Sequence, residues 1–151
     1  MLRFDSSLCL ITDRSFCPKA DFFPILETAI DSGVTWVQFR EKSGLADREM
    51  FELGQKVREL TARKGVPMIV NDRLDLAMAL DADGIHLGQG DLPLWAAKNF
   101  GGRIKYMAYR HRPWNRQKKP STMEPIIWEL ARYSPPSAKM TPSWYIIGRL
   151  N

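Results

Sequence analysis

Gln38, Arg40 and Lys42 recur at every second position of one short run, and Asn71, Asp72 and Asp91 follow two further apolar runs. Alternation puts the first three side chains on one face of a strand and its exit. A planar amide, a guanidinium fork and an ammonium make a clamp suited to a pyrophosphate. Two carboxylates at neighbouring strand ends suit Mg²⁺, which takes few protein oxygens and completes its shell with water and substrate phosphate. Each group also has a plainer use. Arg40 and Glu41 could sit in surface ion pairs. Asp72 could cap a helix beginning near Arg73, and Asp91 one after Leu92. His86 lies within an apolar strand, where a lone imidazole is more often packed and hydrogen-bonded than a ligand. It is given no catalytic role, and no residue is assigned one.

The elements that must position these groups alternate between strand and helix. Residues 8–12 form an apolar run that stops at Asp13-Arg14. Residues 22–30 carry apolar side chains at helical spacing, with Asp21 able to cap the start and Gly33 just past the end. Residues 36–39 read as the second strand and 47–63 as the longest helix. Gly65 stops that helix, and Pro67 leads into a strand at 68–70. A short helix at 74–80, a strand at 84–87 and a helix at 93–100 follow, and Ile104 would begin a fifth strand. Four strand–helix units in about a hundred residues predict a parallel sheet with crossover helices. An open doubly wound sheet and a closed barrel compete. No Gly-x-Gly-x-x-Gly turn follows the first strand, which weakens the dinucleotide-binding version. Polar residues recur at successive strand ends, and in a barrel those ends converge on one mouth.

Composition describes a globular chain of 151 residues, 44% hydrophobic and 26% charged. No apolar run is long enough to span a membrane, and the N-terminus lacks a signal-peptide layout. Cys9 and Cys17, one in a strand and one in a loop, predict a reduced cytoplasmic protein rather than a disulfide scaffold. The net charge of +5 is unevenly spread. Residues 1–104 hold 13 Lys+Arg against 15 Asp+Glu; residues 105–151 hold 9 against 2. Six of the ten prolines and three of the five tryptophans also fall after residue 104, against one of the ten glycines. The chain therefore has two compositional parts that join near residue 105.

The strings Leu10-Ile11-Thr12-Asp13-Arg14, Gln38 to Lys42, Gly65-Val66-Pro67, Asn71-Asp72-Arg73 and Asp83 to Pro93 occur in an order and spacing that resemble the thiamine phosphate synthases. The resemblance covers about the first two-thirds of the chain. It implies an α/β fold: a partial TIM (β/α)8 barrel of about four to five βα units, followed by a non-homologous tail. By resemblance, Gln38, Phe39, Arg40, Glu41, Lys42 and Asn71 would bind hydroxymethylpyrimidine diphosphate, and Asp72 and Asp91 would hold Mg²⁺. The family's reaction joins that pyrimidine to a thiazole phosphate and releases pyrophosphate. The diphosphate departs from a stabilised pyrimidine-methyl cation, which the thiazole nitrogen captures; metal and basic clamp stabilise the leaving charge. Thiazole tautomerases share the fold, but Asp91 in Gly88-Gln89-Gly90-Asp91-Leu92-Pro93 favours the synthase, since a tautomerase needs no diphosphate-bound metal. Small-molecule substrates are thus the expected partners, with no membrane involved.

Residues 105–151 do not resemble the second half of that family, which should supply a Gly-x-Ser-Thr strand end, an apolar strand ending near Gly-Pro and a Pro-Thr…Lys loop. A shifted reading frame accounts for them. Codons that start on the third base of each tail codon take their last two bases from the next residue. Met and Trp have single codons ending in G, so Met107-Ala108, Met123-Glu124 and Trp128-Glu129 must each give Gly, and Trp114-Asn115 must give Glu. With permitted third bases elsewhere, the hidden frame reads G-I-S-T-x-T-V-E-x-A-E-E-A-I-D-N-G-A-D-Y-L-G-V-G-P-V-F-P-T, which the family should carry after its fourth unit. The direction fits loss of one base near codons 105–107. The chain then divides into a truncated half-barrel, 1–104, and a frameshifted basic tail, 105–151. Impaired or absent turnover follows. A half-barrel leaves sheet edges and its inner face open, which would allow a homo-oligomer or a non-catalytic phosphate-binding remnant. A tail that binds nucleic acid through Arg110, Arg112, Arg116, Lys118, Lys119 and Trp114 is the lesser alternative. Irregular coil, or a helix around residues 123–133, is expected there.

Overall fold

The computed structural model describes residues 4–100, 104–111, 127–132 and 145–147. Strand β1 (Cys9–Ile11) leads through a single 3₁₀ turn (Arg14–Phe16) to α1 (Phe22–Asp31). Then come β2 (Trp36–Phe39), α2 (Asp47–Arg63), β3 (Met68–Asn71), α3 (Leu74–Ala79), β4 (Gly84–Leu87), α4 (Leu94–Phe100) and β5 (Tyr106–His111). Two further strands, β6 (Ile127–Arg132) and β7 (Tyr145–Ile147), complete the described elements.

The strands lie in the order β1-β2-β3-β4-β5-β6-β7. The first five are parallel, each beside its sequence neighbour. A doubly wound sheet reverses its strand order at a switch point; this one never does. A parallel sheet that advances strand by strand is the wall of a (β/α) barrel, so the topology decides for the partial barrel. β1 and β7 are its two edges.

Side chains of period two divide the sheet into two faces. Val37, Phe39, Met68, Val70, Ile85, Leu87 and Met107 pack outward against α1, α2 and α3 with Leu26, Val57, Leu60 and Ala77. Trp36, Ile69 and Ala108 point inward, joined by Phe4, Cys9 and Tyr106. Phe4 lies against both Tyr106 and Trp36, with ring centroids 4.5 and 5.7 Å apart. This aromatic cluster covers the inward face of the sheet at the starts of β2 and β5.

Helix ends follow the sequence signals except at Asp21. Gly33 and Gly65 adopt left-handed φ values of 109° and 68° one residue past the caps of α1 and α2. There the following residues, Val34 and Val66, donate back to Ala29 and Thr61, which closes each helix in a Schellman turn. At the start of α2, Glu49 accepts from the Ala46 N–H at 3.2 Å, the acidic half of a capping box. Asp21 was expected to cap α1 but makes no side-chain cap bond; its own backbone is helical, and its carbonyl accepts from Ile25 instead. The residues around 127–132 were expected as coil or helix and are the strand β6, antiparallel to β5. The open edge of β5 offers a row of main-chain donors and acceptors that only another strand satisfies fully. The remaining expectations for the tail lie outside the described residues.

Candidate functional site

The C-terminal ends of β1 to β4 meet on one rim. Gln38, Asn71 and His86 stand at the inward positions of that rim, above Trp36 and Ile69 on the same face. Gln38 is 1% exposed, and its Nε2 has no partner among the described residues. Asn71 and His86 are opposite each other in the β3–β4 register, with Asn71 Oδ1 3.0 Å from His86 Nδ1. His86 is thus buried and hydrogen-bonded, as expected for a packed imidazole.

Beyond Phe39 the ladder of β2 gives way to side-chain bonds. The Thr12 hydroxyl donates to the Arg40 carbonyl at 2.9 Å and accepts from the Arg40 N–H at 3.0 Å. This fixes the point where Arg40 leaves the sheet, and its guanidinium pairs with Asp13. Asp13 is held below the ordinary carboxylate range mainly by its bonds from Ser15, with Arg40 adding to them. Glu41 pairs with Arg14 at 2.6 Å and accepts from the Ser43 N–H at 2.9 Å. Burial pushes its carboxyl up, but those bonds prevail and leave it below its usual value.

Lys42 points the other way, toward β3. Its Nζ lies 2.7 Å from Asp72 Oδ2. Asp72 has a left-handed φ of 64°, a conformation costly for a residue with a Cβ. It is held there by two bonds: its N–H donates to the His86 carbonyl at 2.8 Å, and the Arg73 N–H reaches back to the Asn71 carbonyl at 2.8 Å. The Asp72 carboxyl is close enough to Asp91 for the two to act on each other. Burial works to raise Asp72, but Lys42 and Asp91, with the nearby His86, bring it below the ordinary range. Asp91 is anchored in turn, since its Oδ2 accepts from the Gly88 N–H at 2.6 Å. Neither aspartate caps a helix: both carboxylates turn to the rim or its loops. Arg73, at the cap position of α3, makes no side-chain cap bond and pairs instead with Asp75 and Asp47.

The site predicted from sequence therefore divides in two. Lys42, Asp72 and Asp91 form one connected cluster beside Asn71. Arg40 sits at the same rim but toward β1, tied to Asp13. Two of the six residues read as substrate-binding do not turn their side chains to the mouth. Phe39 points outward into the helix layer, against the position of Gly54 on α2, because its neighbour Gln38 takes the inward position. The Glu41 side chain is 1% exposed and spent on Arg14 and Ser43, which shapes the loop. Thr12, Asp13 and Arg14 lie in one of the family-like strings, and sequence reasoning assigns them no role. The signal was available: opposite charges at the ends of adjacent strands. The arrangement offers paired carboxylates for a hard cation and several cationic groups for an anion. Among the described residues no group of three or more His, Cys, Asp or Glu gathers into a metal cluster, and no helix is long and apolar enough to cross a membrane.

A family model described as Thiamine monophosphate synthase matches residues 8–108. A thiamine-phosphate synthase of Desulfitobacterium hafniense (strain DSM 10664 / DCB-2) is 50% identical over 105 residues, covering 70% of this chain and 50% of the relative. That of Caldanaerobacter subterraneus subsp. tengcongensis is 46% identical over 105 residues, 70% of this chain and 49% of its own. A solved thiamine phosphate pyrophosphorylase from Pyrococcus furiosus superposes with a TM-score of 0.60 at 35% identity, over 67% of this chain and 48% of that one. The chain spans about half the length of the curated relatives it matches.

Proposed function

This chain belongs to the thiamine monophosphate synthase family, and on that footing we propose that residues 1–104 form the diphosphate- and metal-binding half of a synthase barrel. The observation that carries this reading is the Lys42–Asp72–Asp91 cluster on the rim of the parallel sheet. Its ligand would be hydroxymethylpyrimidine diphosphate, with Gln38, Arg40, Lys42 and Asn71 toward the pyrimidine and its diphosphate. Phe39 and Glu41 support the same loop, one from the outer core and one through Arg14.

Mg²⁺ fits the donor set. Two carboxylates from neighbouring strand-end loops act on each other, one of them already holds an ammonium, and the groups acting on it are oxygen and nitrogen donors rather than thiolate. Asp72 and Asp91 would hold the ion, which when bound supplies charge stabilisation to a departing diphosphate. The residues themselves bind and orient: the strained turn at Asp72 and the Gly88 anchor at Asp91 fix both carboxylates before any ligand arrives.

Residues 105–151 are the product of a shifted frame. The family match stops at residue 108, the composition changes at the same place, and the forced Gly and Glu codons fall at the family's spacing. Formation of thiamine phosphate from pyrimidine diphosphate and thiazole phosphate is then very slow or absent, in a protein of the cytoplasm. Calorimetry with the pyrimidine diphosphate and Mg²⁺, run beside a turnover assay, tests this. Binding without turnover is expected. Turnover at ordinary rates overturns the truncation, and a nucleotide sequence that encodes the tail intact across close relatives overturns the frameshift. Absence of binding overturns the site. A thiazole-tautomerase-like activity, or RNA binding that vanishes on deletion after Arg103, would replace this reading.

A further inference from the structure

Two ionised carboxylates on neighbouring strand ends disfavour each other's charge, and a cation beside them relieves that cost. The other arginines around this rim have carboxylates of their own. Arg14 is paired with Glu41, Arg40 with Asp13, and Arg73 with Asp47 and Asp75. Lys42 alone among these cations pairs with the aspartate cluster, at 2.7 Å from Asp72.

The members of this cluster differ in freedom. Asp72 is fixed through its N–H to the His86 carbonyl, and Asp91 through the Gly88 N–H. The Lys42 side chain is 51% exposed and stands on a flexible four-carbon stem with a strongly hydrated head. Withdrawing it into water costs little. A small divalent ion, which prefers carboxylate oxygen, can then take its place.

We propose that Lys42 is the resident counter-ion of the Asp72–Asp91 pair, a place-holder that a divalent ion displaces and that is thereby released toward an incoming anion. The inference rests on the metal reading above. It makes arrival of the metal the event that arms the diphosphate clamp: one exchange neutralises the carboxylates more fully and frees an ammonium beside them.

Two measurements on the full chain test it, with Mg²⁺ and Mn²⁺ as the probes. In the first, amine acylation is read by mass spectrometry with and without metal. Lys42 labelling should rise when metal is added, while Lys64, held by Asp31 and Glu27 at the far end of α2, should not change. In the second, metal affinity is compared by calorimetry. Lys42→Gln should bind about fivefold more tightly than wild type, roughly 1 kcal/mol, because the competitor is gone. Lys64→Gln, with the same loss of charge elsewhere, should bind as wild type does. Metal binding with unchanged Lys42 labelling, or equal or weaker affinity in Lys42→Gln, overturns the exchange alone. No metal binding by wild type or Lys42→Gln overturns the metal site and the exchange with it.

Discussion

Gly84→Ala is the sharpest test of how β5 seats against β4. Gly84 opens β4 and lies opposite Tyr106 of β5. A Cβ there would stand 2.6 Å from the Tyr106 carbonyl oxygen, 3.0 Å from Tyr106 Cβ and 3.1 Å from Ile69 Cγ1. Contact distances of about 3.5 Å are needed, so β5 must move off β4 by about 0.5–1 Å. The obstacle is main chain of the adjacent strand and cannot rotate away. Overpacking of this kind costs about 1–3 kcal/mol. At a urea slope of about 2 kcal/mol per molar, the unfolding midpoint should fall by about 0.5–1.5 M. Gly54→Ala is the control: its Cβ would meet Leu80 Cδ1 at 2.5 Å, the tip of a side chain that can turn, and alanine favours the helix by about 0.5–1 kcal/mol. Its midpoint should move less. Far-UV circular dichroism against urea reads both. If Gly84→Ala unfolds at the wild-type midpoint, residues 106–109 are not held against 84–87, and the fifth strand is wrong.

Glu41 is below its usual value of 4.5 in the folded chain because Arg14 and Ser43 hold the charged form against burial. The folded state therefore binds fewer protons than the unfolded one, and stability rises with pH through that range. The advantage of wild type over Glu41→Gln should be full above pH 4.5 and close as pH falls below it, read from urea midpoints at stepped pH. Asp83 accepts from the Met68 N–H at 3.0 Å and from Arg58 at 2.8 Å; Asp83→Asn should cost about 1–3 kcal/mol by the same assay. Burial pushes the Cys9 thiol up to about 12, so a thiol reagent at pH 8 should label Cys9 slowly in native protein and quickly in urea.

The parallel strands were legible because each is a short apolar run with a polar stop. Trp36 to Phe39 and Gly84 to Leu87 fall where the pattern puts them, since strands buried on both faces need apolar residues at consecutive positions. The choice of barrel over open sheet was not in any single run. It lies in the order of strands, which depends on which edges pair. At the rim, residue types brought Arg40, Lys42, Asp72 and Asp91 into one group, but spacing could not say which way each side chain turns: Lys42 meets Asp72 and Arg40 meets Asp13. Arg40 and Lys42 share a strand parity yet diverge, because the ladder ends at Phe39 and the Thr12 hydroxyl takes over. Asp72 could not be told from a helix cap without its left-handed backbone, a property no side-chain pattern reports. β6 was missed because an exposed edge, rather than local preference, selects its conformation.

The one-by-one order of the parallel strands carries a consequence for damage and for birth. Strands β2 to β4 find both neighbours within a few dozen residues of themselves, so nothing translated after β5 is needed to seat them. A chain emerging from the ribosome can lay down this wall progressively, each new helical crossover docking on the last. A lesion late in the message therefore spares the early rungs and strips only the outermost ones. The same property makes a sector of such a ring a part that can keep its packing when the strands beyond it change.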